Sequence, residues 1–259
     1  MKKKSREDYI KIIKKQCEKS IINFENKVGD LEYIPNGILL WEGFAFCTMI
    51  DLFNIDVIIE SGIAGGRSTE IFGRYCDQQI YAMDNVQVYK EKRFNETAQR
   101  LAKYENITCI KGDAFFKIIE LIKKNKASKI ALFIDGPKGI RAITLAKKCC
   151  KYPNVKFVGI HDQCKTNYHQ MDTWDLTTFY TDSKWLIDKY SYLDRNSNNL
   201  IFKDVLESCP NGPGVGFAIN DRRLYSDTIY HRMYQNLFDN FLFFLMKISC
   251  IILKIKHNI

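Results

Sequence analysis

The sequence predicts a doubly wound α/β protein with a seven-stranded, mostly parallel sheet and helical extensions at both ends. Three observations carry that prediction. Helical patterns alternate with the first five of seven candidate strands. The starts of those strands are spaced by about 20–30 residues, the repeat of a βα unit. The first strand, Asp56-Val-Ile-Ile-Glu60, ends in a carboxylate and runs into the glycine-rich turn Ser61-Gly62-Ile-Ala-Gly65-Gly66.

Each element has its own signal. Ile10, Ile13, Cys17, Ile21 and Phe24 fall near helical spacing, so 6–27 reads as an amphipathic helix. Pro35-Asn-Gly37 breaks the chain, and 38–53 then reads as a largely buried helix. Strands are predicted at 56–60, 79–84, 107–110, 130–135 and 156–161, with helices near 67–76, 88–104, 114–125 and 139–150. Continuous apolar strands such as Ile130-Ala-Leu-Phe-Ile134 suit a parallel sheet covered on both faces. After residue 162 the pattern changes. Residues 172–182 read as a helix and 185–190 as a strand, and Asn211-Gly-Pro-Gly214 marks a turn before a last strand at 215–219. The organisation is an N-terminal helical extension (1–37), a sheet domain (38–220) and a basic, apolar C-terminal helical extension (221–259).

Composition bounds the class. The 259 residues suffice for one large α/β domain, and 46% hydrophobic with 27% charged residues is ordinary for a soluble globular chain. Nine cysteines form no framework and no CxxC pair, and several lie in apolar runs, so a reducing, cytoplasmic setting is expected. The histidines do not accompany paired cysteines, which argues against zinc. The basic N-terminus leads into no apolar signal segment, so the sequons at Asn95 and Asn106 are read as accidental. The net charge of +9 sits at the ends: residues 1–30 hold nine basic and five acidic residues, and 221–259 hold six and three. A basic groove through the central domain is therefore not expected, nor is a nucleic-acid partner.

Ligands of open α/β sheets bind at the carboxyl ends of the strands. Those ends carry Glu60, Asp84, Asp113, Asp135 and His161-Asp162. Gly62, Gly65 and Gly66 permit close backbone approach, and Asp84 follows Gly62 at the offset from which an acidic side chain reaches a ribose diol. The dinucleotide pattern G-x-G-x-x-G fails, because Ala64 and Arg67 replace its second and third glycines, and Glu60 would favour a cationic or amino-bearing ligand over a pyrophosphate. Structural alternatives stand beside these readings. Asp84 and Asp113 suit helix N-caps, Asp135-Gly-Pro a turn, and His161-Asp162 a structural pair. Lys138 and Arg141 read as solvated charges on the next helix, with an acceptor contact as the alternative. Arg67 fits either a surface position or a carboxylate partner. Tyr168, His169, Trp174 and Trp185 fit packing or an acceptor loop.

The ordered set Glu60-x-Gly62-x-x-Gly65-Gly66-x-Ser68-Thr69, Asp84, Gly112-Asp113 and Asp135-Gly136 resembles the class I S-adenosylmethionine-dependent methyltransferases. With His161-Asp162 it is most similar to the small-molecule and sugar O-methyltransferases, including macrolide-sugar enzymes, and the cephalosporin-hydroxylase-like proteins. The resemblance spans about residues 38–220. It implies a Rossmann-like methyltransferase fold with S-adenosylmethionine as cofactor. It also implies that the Glu60–Gly66 loop, with Ser68, wraps the methionine part, that Asp84 holds the ribose, and that Asp113 and Ala114 lie beside the adenine. In metal-dependent relatives, carboxylates ending the fourth and fifth strands hold a divalent ion such as Mg²⁺; the matching set is Asp135, His161 and Asp162. Histidine at 161 departs from the usual acidic pair and suits softer ions better than magnesium.

The implied reaction is O-methylation of a small molecule or glycan, metal-assisted in some relatives, with Asp135 or His161 as base. An NAD-type oxidoreductase and a noncatalytic cofactor-binding scaffold docked at a membrane are the alternatives. The apolar tail 241–253, interrupted by Lys247, is too short for a standard membrane span of about 20 residues. It reads as a helix packed on the domain or in a homo-oligomer, or as a peripheral membrane contact.

Overall fold

The computed structural model describes residues 5–32, 37–86, 91–163, 174, 176–195, 214–220, 241, 243–245 and 248. In chain order the elements are α1 (Arg6–Val28), α2 (Leu40–Phe53), β1 (Val57–Ser61), α3 (Arg67–Tyr75), β2 (Gln79–Asp84), α4 (Glu91–Leu101), β3 (Ile107–Lys111), α5 (Ala114–Lys124), β4 (Ile130–Ile134), α6 (Ile140–Cys149), β5 (Val155–His161), β6 (Thr177–Tyr180), α7 (Lys184–Tyr190), α8 (Tyr192–Arg195) and β7 (Val215–Ile219).

The seven strands form one sheet in the order β3-β2-β1-β4-β5-β7-β6. The first five are mutually parallel, and β7 runs antiparallel to both β5 and β6. This is the doubly wound, mostly parallel, seven-stranded sheet expected from the sequence. Strand order reverses between β1 and β4, whose ends are in register at Ser61 and Ile134. That reversal opens a crevice at the carboxyl edge, where ligands of such sheets bind.

Both faces are covered. On one face α1, α2 and α3 share a core with Ile58, Phe133, Phe157 and Phe217. Every residue of α2 from Leu40 to Ile50 is buried, as befits a helix apolar on all sides. Phe46 stacks on Phe72 and meets Phe133 and Phe157 edge-on at 5.2 and 5.1 Å. α1 joins the same core through Tyr9, Ile13, Cys17, Phe24 and Val28. On the other face α5 and α6 cover Ile59, Leu132 and Val158.

Two elements differ from the sequence reading. Residues 177–180 form strand β6 where a helix over 172–182 was expected. Thr-Thr-Phe-Tyr is β-branched and aromatic, and its pairing with β7 stacks Phe179 on Phe217 at 4.6 Å. Residues 184–190 form helix α7 where a strand was expected. Leu186 and Tyr190, four apart, are both buried, a helical spacing hidden in a segment too short to show its period. Tyr168, His169 and residues 211–213 lie outside the described residues. Among the described residues no helix is long and apolar enough to cross a membrane.

Candidate functional site

The crevice is built first by backbone. Asp135 N and Gly136 N both donate to Ser61 O, at 2.8 and 2.9 Å, and Gly62 N donates to Met83 O at 2.8 Å. The ends of β1, β2 and β4 are thus laced together. Gly62 has φ +93°, and a Cβ there would lie 2.5 Å from Gly136 N, so only glycine lets the β1 turn pass the β4 turn. Gly66 (φ +75°) starts α3, and Gly65 O accepts from Arg100 Nη2 at 2.7 Å. Ala64 takes a left-handed φ of +46° without being glycine. Asp84 Oδ2 accepts from its N–H at 3.0 Å, and Thr97 Oγ1 donates to its carbonyl at 3.0 Å.

Glu60 is fully buried beneath this turn. One oxygen accepts from Ser68 Oγ and the other from Thr69 Oγ1 at 2.6 Å. Burial pushes its carboxyl up to about 8 against the pull of those hydroxyls. Glu60 and Ser68 therefore fasten β1 to the first turn of α3. Asp84, at the end of β2, is raised by burial despite the amides of Ala64 and Asn85. A carboxylate has about four lone-pair positions, so it keeps capacity for a ribose diol. Asp113 N-caps α5, accepting from Phe115 N at 2.8 Å, with Ala114 buried beside it. The turn and these carboxylates fit a nucleoside ligand.

Across the crevice, β4 and β5 contribute a charged cluster. His161 Nδ1 lies 2.6 Å from Asp135 Oδ1 and 3.3 Å from Asp162 Oδ1. Lys138 Nζ pairs with Asp135 and lies 2.6 Å from Asp162 Oδ2. Asp162 has φ +60°. Behind the ring, His161 Nε2 is 3.8 Å from Oε2 of Glu42 on α2. Burial disfavours the imidazolium, but the charge and hydrogen bond of Asp135, then Glu42 and Asp162, raise His161 to about 9. Burial would raise Asp135, yet His161 and Lys138 hold it well below the usual carboxylate range. Burial raises Glu42 to about 7 against the pull of His161 and the Leu39 amide.

Asp135, His161 and Asp162 offer three ligand atoms within 4.8 Å of one another, a reasonable donor set. A divalent ion does not fit it as it stands. Lys138 already spans both carboxylates, and His161 turns its Nδ1 toward them, so metal and ammonium exclude each other. Lys138 precedes α6 instead of lying on it, and pairs with both carboxylates while its side chain stays half exposed. Glu42 is a second residue that sequence reasoning missed, although an acid inside the apolar run Leu39-Leu40-Trp41-Glu42-Gly43-Phe44 is a usable signal. Arg67 is buried, not on the surface. It donates to Ile38 O at 2.8 Å and to Glu32 O, and its Nη2 lies 3.9 Å from Asp194 Oδ1. Asp194 in turn accepts from Leu40 N and Trp41 N at 2.9 and 3.1 Å, fixing the start of the helix that bears Glu42. Trp174 is buried, and Trp185 packs by Phe179 with Lys14 over its ring.

No protein-family model and no curated protein matches this chain. Solved structures do. The O-methyltransferase TomG from Streptomyces achromogenes matches 79% of this chain and 88% of its own at 13% identity, TM-score 0.44. An O-methyltransferase from Bacillus cereus matches 79% of this chain and 90% of its own at 13% identity, TM-score 0.40. For an SAM-dependent O-methyltransferase from Thermotoga maritima the figures are 60%, 52% and 17%, TM-score 0.37, so the chain spans about half of that protein.

Proposed function

We propose that this chain transfers a methyl group from S-adenosylmethionine to a hydroxyl of a small molecule or glycan. One observation carries the reading: the glycine turn anchored on Asp84 touches, at Gly62 and Gly136, the strand end that bears Asp135. A nucleoside-holding turn and a proton-handling cluster therefore share one crevice.

When bound, S-adenosylmethionine supplies an electrophilic methyl on a sulfonium. The residues here do the rest. Asp84 orients the ribose, and the 62–66 turn fixes the approach of the backbone. The acceptor hydroxyl lies beside Asp135, within reach of the half-exposed Lys138. As that oxygen accepts the methyl, Asp135 is placed to take the proton the hydroxyl gives up. A hydroxyl oxygen taking on a methyl would become far more acidic than a carboxylic acid. Asp135 is therefore basic enough for the task even with His161 and Lys138 beside it. His161 is too enclosed to meet the acceptor directly, and it acts by keeping Asp135 ionised and oriented.

Calorimetry with S-adenosylmethionine, S-adenosylhomocysteine and NAD tests the first half. Binding of the sulfonium cofactor, weakened in Asp84→Ala, is expected; binding of NAD alone would turn the reading to an oxidoreductase. Methyl transfer to a panel of phenolic, sugar and other hydroxylated acceptors tests the second half.

A further inference from the structure

Two neighbouring helices on the second face of the sheet are basic. α6 carries Arg141, Lys147 and Lys148 and no acid, and α5 carries Lys117, Lys123 and Lys124 against Glu120. Phe243 is buried against this pair. Its ring centroid lies 5.5 Å from that of Phe115, with Lys148 Nζ 5.3 Å from its own. Phe241, Phe243–Leu245 and Ile248 are helical. With Phe243 turned inward, Phe241, Phe244, Leu245 and Ile248 recur at i, i+3, i+4 and i+7, which is one stripe of a helix. They are 58%, 59%, 44% and 36% exposed. A stripe of large apolar side chains left in water marks a contact surface. Residues 240–259 add three lysines and no acid.

We infer that this stripe docks the protein on an anionic lipid bilayer, its apolar side chains at the acyl boundary beside the basic surface of α5 and α6. Charge selects this partner over a second copy of the chain. A self-contact through the stripe would bring the basic α5–α6 surface against its like. An anionic headgroup layer instead attracts the basic α5–α6 surface, while the acyl boundary accepts the four apolar side chains.

The test floats the full chain with vesicles of phosphatidylcholine alone and of phosphatidylcholine mixed with phosphatidylserine, at low and at high salt. Flotation with the anionic vesicles, weakened by salt and nearly absent on the neutral ones, is expected. Phe244→Ser with Leu245→Ser lowers that binding by about tenfold or more, and Ile248→Ser acts in the same direction. All three side chains are exposed, so the variants melt as the parent does. The inference is overturned if anionic vesicles fail to float the parent at low salt, or float the double variant equally. A parent dimer in sedimentation that the double variant dissolves, without any lipid binding, likewise overturns it and gives the stripe to a second copy.

Discussion

His161 Nδ1 lies 2.6 Å from Asp135 Oδ1, joining the carboxyl ends of β5 and β4. The contact holds one group ionised and the other protonated in a place where burial alone would favour neither charge. In Asp135→Asn, kcat is expected to fall by about 100-fold while S-adenosylmethionine affinity is kept. His161 loses the neighbour that raises it, so its titration, followed by ring-proton NMR, moves from about 9 back toward neutrality.

Asp84 accepts from Ala64 N and faces the crevice from the end of β2. Hydrogen bonds to a charged group contribute about 1.5–3 kcal/mol, so Asp84→Ala should weaken cofactor binding by roughly 10- to 100-fold. Isothermal calorimetry reads this directly, and an unchanged Kd removes Asp84 from the ribose.

Lys138 spans Asp135 and Asp162. Turnover by the parent protein should accordingly be indifferent to chelator. Lys138→Ala uncovers the carboxylates and should bind Mn²⁺, seen by the loss of its free-ion electron paramagnetic resonance signal. Chelator-sensitive activity in the parent would mean that the lysine gives way to a metal.

Glu60 is raised from 4.5 to about 8 and Glu42 from 4.5 to about 7. A raised pKa means the folded state keeps a proton that the unfolded state releases. Its contribution is full below the unfolded value and is lost as pH rises through the folded one. His161, raised from 6.5 to about 9, has the same sign. The melting temperature should therefore fall as pH rises from 4.5 toward 9. Glu60→Gln flattens that slope and melts above the parent at alkaline pH, where the parent holds a buried charge.

Gly62→Ala meets both a left-handed φ and Gly136 N at 2.5 Å. A loss of about 2–3 kcal/mol is expected in urea unfolding, together with weaker cofactor binding.

Most of the strand-end chemistry is legible in the chain. Glu60, Asp84, Asp113, Asp135 and His161-Asp162 each close an apolar run, and a strand's end shows in its own local pattern. The roles were less legible. Glu60 reads as a ligand contact, and the sequence does not show that Ser68 and Thr69 each donate to one of its oxygens. Asp113 is visibly an N-cap. β6 and α7 were exchanged in type because four to seven residues carry too little period to separate strand from helix without their neighbours.

The sequence by itself determined the alternation of strands and helices, the left-handed glycine turn and the carboxylates at the crevice, because periodicity, turn chemistry and chain order are local. Only the tertiary structure decided that Glu42 backs His161, that Lys138 bridges Asp135 and Asp162, and that Arg67 is buried by Asp194. Those pairings join side chains from different elements. Their charge states follow from shared burial, which no single segment contains.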